Sequence, residues 1–263
     1  MPQILLNGTS LYYEMHGSGL PIVFVHDHLS SHHMFEPQVK YFSKRAKVIV
    51  LDLRGNGQSG KMNVDIDRII DTQCEDLKVL LERLDIPKVT LVGCSSGGVL
   101  AQKFADLYPN RVRSLVLVDS YVSAKISKSW EIFERCSWLS YYLPAVFLLR
   151  TLRLTYSRWI PAYNILREDL LNKRPTELIK QRMAVQQIEI LVNPTRIQVP
   201  ILCVVGSDNE WGLKHMKKVE SVFPYAQIGI VDDAIYPSHL CQPQLFNRML
   251  LDFLNDQHVV QMT

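Results

Sequence analysis

Five residues, Gly93-Cys94-Ser95-Ser96-Gly97, carry the spacing G-x-S-x-G. The apolar run "VTLVG" leads into them, and a helical stretch that ends before Pro109 follows. A serine pinned between strand and helix is suited to nucleophilic chemistry. The turn is so tight that flanking glycines are needed for room, and the hydroxyl is thrown up at the mouth of the helix. The helix dipole and free N–H groups there favour developing negative charge. Strand before and helix after, more than the five letters alone, predict Ser95 at a nucleophile position.

Such a corner needs a sheet to hold it, and the sequence supplies one. "QILLN" and "LYYEMHG" read as an opening hairpin. Residues 21–26, 47–52, 89–93, 114–119, 200–206 and 226–232 are continuously apolar runs, as expected for strands covered on both faces. Helical patterns lie between them, including 66–84 and 97–108. Strand alternating with helix predicts an α/β fold with a mostly parallel sheet and right-handed crossovers. The alternation stops after Asp119, and about 80 residues pass before the next buried strand at Pro200. A structureless loop of that length is improbable in a compact domain. The segment is aromatic and helix-prone, with 12 Lys+Arg against 6 Asp+Glu over 122–196. It predicts a helical lid inserted after the sixth strand. The expected division is a core in two parts, 1–121 and 197–263, with the lid at 122–196. The aromatic side chains Trp130, Trp138 and Trp159 read as lid core or as walls of an apolar ligand pocket.

Composition narrows the function classes. At 263 residues and a formal charge of +3, the chain fits one domain with an insertion and gives no support to a nucleic-acid partner. "MPQILLNGTSLYYEM" lacks the basic and apolar regions of a signal peptide, and the richest apolar stretch is broken by Pro144 and Arg150. The five cysteines show no CxxC pair or zinc-ligand spacing. They read as free thiols in a reducing cytoplasm, with no metal, no organic cofactor and no membrane partner expected.

Over nearly its whole length the chain resembles the α/β-hydrolase family. Besides "GCSSGG", the resemblance rests on "VFVHDHLSS", "LDLRGNGQS", "PNRVRSLVLVDS" and "QPQLFNRMLLDFL". It implies an oxyanion hole from the N–H of Ser96 and an N–H of the loop after the third strand, here His28. That loop departs from the family's His-Gly: it reads His26-Asp27-His28, adding a carboxylate and an imidazole near the pocket. Asp27 is accordingly a candidate substrate contact.

The resemblance also implies an acid and a histidine, and both positions are altered. Asn209 stands at the commonest acid position, flanked by Asp208 and Glu210. Asp119, at the end of the sixth strand, is the alternative, as in fungal zearalenone-type lactone hydrolases, which also resemble the chain in "GCSSG". The acid stays open between Asp119 and Asp208. Aligning "DDAIYPSHLCQPQLF" with the family pattern puts Tyr236 on the catalytic histidine and His239 three residues beyond. Tyrosine is a poor base: with a pKa near 10, about one in a thousand is ionised at pH 7. Three arrangements remain. His239 reaches Ser95 after a loop rearrangement, or His28 serves from the opposite wall, or no Ser–His dyad exists. The primary expectation is hydrolysis of a small apolar ester, lactone or related carbonyl compound, with Ser95 as nucleophile and His239 as substitute base. The alternative is a non-hydrolytic lyase, cyclase, isomerase or small-molecule sensor that uses Tyr236.

Overall fold

The structure is a computed structural model, and it describes residues 3–122, 141–187 and 195–256. Eight strands form one sheet in the order β1-β2-β4-β3-β5-β6-β7-β8. They are β1 (Gln3–Leu6), β2 (Thr9–His16), β3 (Pro21–Val25), β4 (Lys47–Leu51), β5 (Val89–Cys94), β6 (Val112–Val118), β7 (Ile201–Gly206) and β8 (Ala226–Val231). The first two pair antiparallel, as the opening hairpin predicts, and β2 runs antiparallel to β4. From β4 to β8 every pairing is parallel.

The described helices are α1 (Glu36–Phe42), α2 (Ile69–Arg83), α3 (Ser96–Leu107), α4 (Ala145–Thr155), α5 (Ile160–Leu171), α6 (Pro175–Gln187), α7 (Glu210–Val222), α8 (Ser238–Cys241) and α9 (Pro243–Asp256). Alternate residues along each strand divide between two cores. Val23 and Val25 of β3 pack with Leu77 of α2, Leu100 of α3 and Met216 of α7. Ile22 and Phe24 face the other way, toward Phe42 of α1 and Phe246 and Leu250 of α9. A strand buried on both sides must be apolar throughout, which is why these runs do not alternate in sequence.

Helices α4, α5 and α6 fall between β6 and β7, where the lid is expected. Among the described residues no helix is long and apolar enough to cross a membrane. The order in which strands are added reverses at β3, which has β4 on one side and β5 on the other. The carboxyl ends of such strands border the crevice where open α/β sheets bind ligands. The His26–His28 loop and Ser95 both emerge there.

Candidate active site

Ser95 follows β5 directly and is the N-cap residue of α3, at φ 52° and ψ −116°. A non-glycine residue in this region costs on the order of 1–3 kcal/mol, so the surroundings must hold it. They do so closely. The Ser95 N–H donates to the Val118 carbonyl at 2.9 Å, and the Ser120 hydroxyl donates to the Ser95 carbonyl at 2.8 Å. A Cβ on Gly97 would lie 2.3 Å from the Val25 carbonyl oxygen, and one on Gly93 would lie 2.4 Å from that of Gly97. The two glycines let helix and strand approach, and the serine takes up the bend. Tyr121 shares a hydrogen bond with Ser95; its phenol is pushed far up, first by burial and then by the charge of Asp27.

Asp27 is the hub of the site. It is 2% exposed, yet it carries four contacts. Oδ1 accepts from His28 Nδ1 at 2.9 Å, from the Ser96 hydroxyl at 2.8 Å and, at 3.4 Å, from the Ser96 N–H. Oδ2 accepts from the Tyr236 hydroxyl at 2.9 Å. Burial works against its charge, but His28, Ser96 and Tyr236 outweigh it and hold the carboxyl well below the usual range. Tyr236 is pushed the other way by burial and by Asp27, so it stays a neutral phenol that donates.

His28 donates its Nδ1–H to the ionised Asp27, and Nε2 is the other nitrogen of the ring. That nitrogen lies 3.5 Å from the Tyr141 hydroxyl, which in turn accepts from Arg182 of α6 at 2.7 Å. The His28 backbone N–H donates to the Ser96 hydroxyl at 2.8 Å, and Asn56 Nδ2 donates to the His28 carbonyl at 2.7 Å. Among the described residues no group of three or more His, Cys, Asp or Glu side chains could hold a metal ion.

A strained serine at a strand–helix corner, a parallel sheet flanked by helices and an insertion after β6 agree with what comparison with known proteins finds. A family model described as the alpha/beta hydrolase fold matches residues 21–136. A thermophilic esterase from Thermogutta terrifontis superposes with a TM-score of 0.86 at 22% identity, covering 98% of this chain and 100% of its own. The chain carries the α/β-hydrolase fold. The enol-lactonase of Burkholderia xenovorans LB400 is similar at a TM-score of 0.83 and 20% identity, over 97% and 100% of the two chains. In sequence, the chain is 27% identical to a putative carbamate hydrolase, RutD, of Azorhizobium caulinodans, over 97% of this chain and 99% of the relative. It is also 28% identical to a putative 2-succinyl-6-hydroxy-2,4-cyclohexadiene-1-carboxylate synthase of Bacillus subtilis, over 80% and 81%.

Within this α/β-hydrolase fold several expected residues sit elsewhere than the sequence suggests. His239 is corrected first. It lies on α8, fully buried, with its ring stacked on Phe35 at 4.9 Å and beside Phe246 at 5.7 Å. Neither ring nitrogen has a well-formed hydrogen bond. Burial lowers its pKa to about 3, opposed only by the nearby Met34 carbonyl. It is a core side chain, not a base for Ser95. Asp208 is exposed and accepts from the neighbouring Ser207 hydroxyl at 2.7 Å.

Asp119 is buried at φ 46°, but its oxygens hold backbone rather than an imidazole. Oδ2 accepts from the Ser238 N–H at 2.7 Å; Oδ1 accepts from Asn209 Nδ2 at 3.2 Å and the Gly206 N–H at 3.4 Å. Burial raises its pKa in spite of these donors. The two acid positions thus meet, as an anchor for the loop that carries Tyr236.

For Trp159, the structure agrees with the lid-core reading rather than the pocket-wall one. The indole is buried against Tyr156, and its Nε1–H donates to the Asp233 carbonyl at 3.1 Å, tying the lid to that same loop. Trp130 and Trp138 lie outside the described residues. His32 is 5% exposed, and its Nδ1 bonds Asp52 Oδ1 at 2.8 Å. Tyr121, Tyr141 and Arg182 escaped the sequence reading, since nothing local marks a side chain that turns toward the site.

Proposed function

We propose that the protein hydrolyses a small apolar ester, lactone or related carbonyl compound in the cytoplasm, with Ser95 as nucleophile and His28, oriented by Asp27, as base. The observation that carries this reading is the Asp27–His28 hydrogen bond at 2.9 Å, beside the elbow. An acid–imidazole pair needs a buried carboxylate on Nδ1 and a free Nε2, so that the carboxylate fixes the tautomer and stabilises the imidazolium. Asp27 and His28 meet the first condition, one loop away from the usual histidine position; Nε2 meets the second once the Ser95 hydroxyl replaces that of Tyr141, 3.5 Å away. Relatives named as a carbamate hydrolase, an esterase and an enol-lactonase agree with hydrolysis as the reaction class. To reach both oxyanion amides, the substrate oxygen must displace the Ser96 hydroxyl from the His28 N–H.

One observation favours a non-hydrolytic role instead. The Ser96 N–H faces the Asp27 carboxylate, a negative group beside the place where an acyl oxyanion would form. A fluorophosphonate probe separates the readings. Hydrolysis predicts an adduct on Ser95 that disappears in Ser95→Ala, falls at least about 100-fold in rate in His28→Ala and persists in His239→Leu. No adduct in the wild type, with labelling gained in Tyr236→His, would establish the non-hydrolytic role.

A further inference from the structure

The oxyanion hollow beside Ser95 is filled from within. One of its donors, the His28 N–H, is taken by the Ser96 hydroxyl at 2.8 Å, and that hydroxyl donates to Asp27 Oδ1 at 2.8 Å. The other donor, the Ser96 N–H, points at the same carboxylate oxygen at 3.4 Å. Ser95 and His28 are half-buried, whereas Ser96 and Asp27 are 6% and 2% exposed. The Ser96 oxygen therefore marks a point 2.8 Å from a backbone donor and 2.8 Å from a carboxylate oxygen. Burial opposes the Asp27 charge, but His28, Ser96 and Tyr236 hold it ionised. A group at that point must accept on one side and donate on the other, and a hydroxyl does both with one atom. A carbonyl oxygen only accepts. Placed there, it faces Asp27 Oδ1 oxygen to oxygen, and a buried charge has lost a donor.

We propose that the site takes α-hydroxy carbonyl compounds, esters or lactones, whose carbonyl oxygen accepts from the His28 N–H while the adjacent hydroxyl donates to Asp27 Oδ1. Such a substrate supplies from two neighbouring atoms what Ser96 supplies from one. The Ser96 hydroxyl then turns away without leaving Asp27 short of a donor. Asp27 keeps its other partners throughout, His28 Nδ1 at 2.9 Å on Oδ1 and the Tyr236 hydroxyl at 2.9 Å on Oδ2. An ester with no donor beside its carbonyl forfeits that bond. A secondary amide or carbamate has a donor, but across a trans amide the N–H and C=O point in opposite directions and do not converge on one spot. The hydroxyl of an α-hydroxy carbonyl lies on the carbonyl's own side when the two C–O bonds are syn. Asp27 sets this preference, since a glycine at position 27 would leave the hollow with amide donors alone. The inference rests on the proposed hydrolysis, because it places the reacting carbonyl carbon beside Ser95, and it narrows the substrate class of that reaction.

Ketones without a scissile bond test the recognition apart from the chemistry: 2-hydroxyacetophenone, 2-methoxyacetophenone and acetophenone. Titration of the full chain, read by NMR or calorimetry, should find the hydroxy ketone bound about tenfold or more tighter than either of the others. Bulk alone would penalise only the methoxy compound. In Asp27→Asn the preference should fall to about threefold or less. In Ser96→Ala, which removes the internal occupant, all of them should bind more tightly. If Asp27→Asn fails to fold, the wild-type ranking of the ketones still decides. Equal binding of the hydroxy ketone and acetophenone, or no binding at millimolar concentration, would overturn the inference. Turnover separates that failure from failure of the hydrolysis. Phenyl butanoate cleaved as fast as phenyl 2-hydroxybutanoate would sink the substrate class and leave Ser95 as nucleophile. A clear ketone preference with neither ester cleaved would sink the hydrolysis and leave the α-hydroxy site.

Discussion

An imidazole and a phenol of similar reach behave oppositely once buried beside a carboxylate. At position 236 the phenol donates to Asp27 and keeps its proton, so it cannot accept one from Ser95. Three residues on, the imidazole of His239 has been moved into apolar packing and loses its basicity. That displacement has a consequence for stability. The folded pKa of about 3 lies below the ordinary 6.5. Between those values the unfolded chain binds a proton here that the folded chain does not. Stability at this site is therefore complete above pH 6.5 and declines as the pH falls toward 3, by a few kcal/mol at most. His239→Leu removes both unpartnered nitrogens and keeps the contact with Phe35 and Phe246. Urea unfolding at pH 7.5, 5.5 and 4.5 should find the variant at least as stable as wild type at the first and clearly more stable at the last. Parallel losses in the two proteins would show that His239 is not the acid-sensitive group.

At the scale of elements, the corner between β5 and α3 depends on the absence of side chains. In Gly97→Ala the new Cβ meets two backbone carbonyls, those of Val25 at 2.3 Å and His26 at 2.5 Å. Backbone cannot step aside as a side chain can, so α3 must lift from β3. The expected cost is about 3 kcal/mol or more, or failure to fold, with Ser95 out of place. Gly229→Ala in β8 is the contrast. Its Cβ would meet the Met249 sulfur at 3.4 Å, and thermal melts should place it within about 1 kcal/mol of wild type. A similar loss in both variants would remove the packing explanation. These elements were legible because their causes are local. Continuous apolar runs mark β3 to β7, and glycines on either side of a serine mark the elbow. The partners of Ser95 were not, since their roles depend on where distant loops meet. Asp119 looks like a triad acid until the Ser238 N–H and Asn209 amide arrive to occupy it. Nothing local marks His32 for burial until Asp52 comes within 2.8 Å. The same distance from local cause hid Tyr141 and Arg182, which reach His28 only through the lid.

Across the whole molecule, the lid is fastened to the core along two separate edges. On one, Arg174 donates to the Ser59 carbonyl at 2.9 Å and the Gly57 carbonyl at 2.7 Å, Glu177 accepts the Met62 N–H at 3.1 Å, and Lys180 donates to the Met62 carbonyl at 3.3 Å. On the other, Tyr156 donates to the Tyr236 carbonyl, Trp159 donates to the Asp233 carbonyl, and Arg158 pairs with the Asp233 carboxylate. The second edge holds the loop that carries Tyr236, so loosening it would disturb the Asp27 hub directly. The first edge's bonds leave that loop untouched, which makes it the better place to release the lid alone. Arg174→Ala deletes two charge-assisted bonds to backbone carbonyls, worth about 1–3 kcal/mol in local opening free energy. Amide hydrogen exchange should then quicken over residues 55–63 and 160–187 while β3 to β7 keep wild-type protection. Trp159→Phe, which loses only the bond to Asp233, should instead quicken exchange around residues 233–238. Uniform loss of protection through the sheet in Arg174→Ala would mean that lid and core open as one unit, because a lid able to move separately must unfasten without drawing the central strands with it.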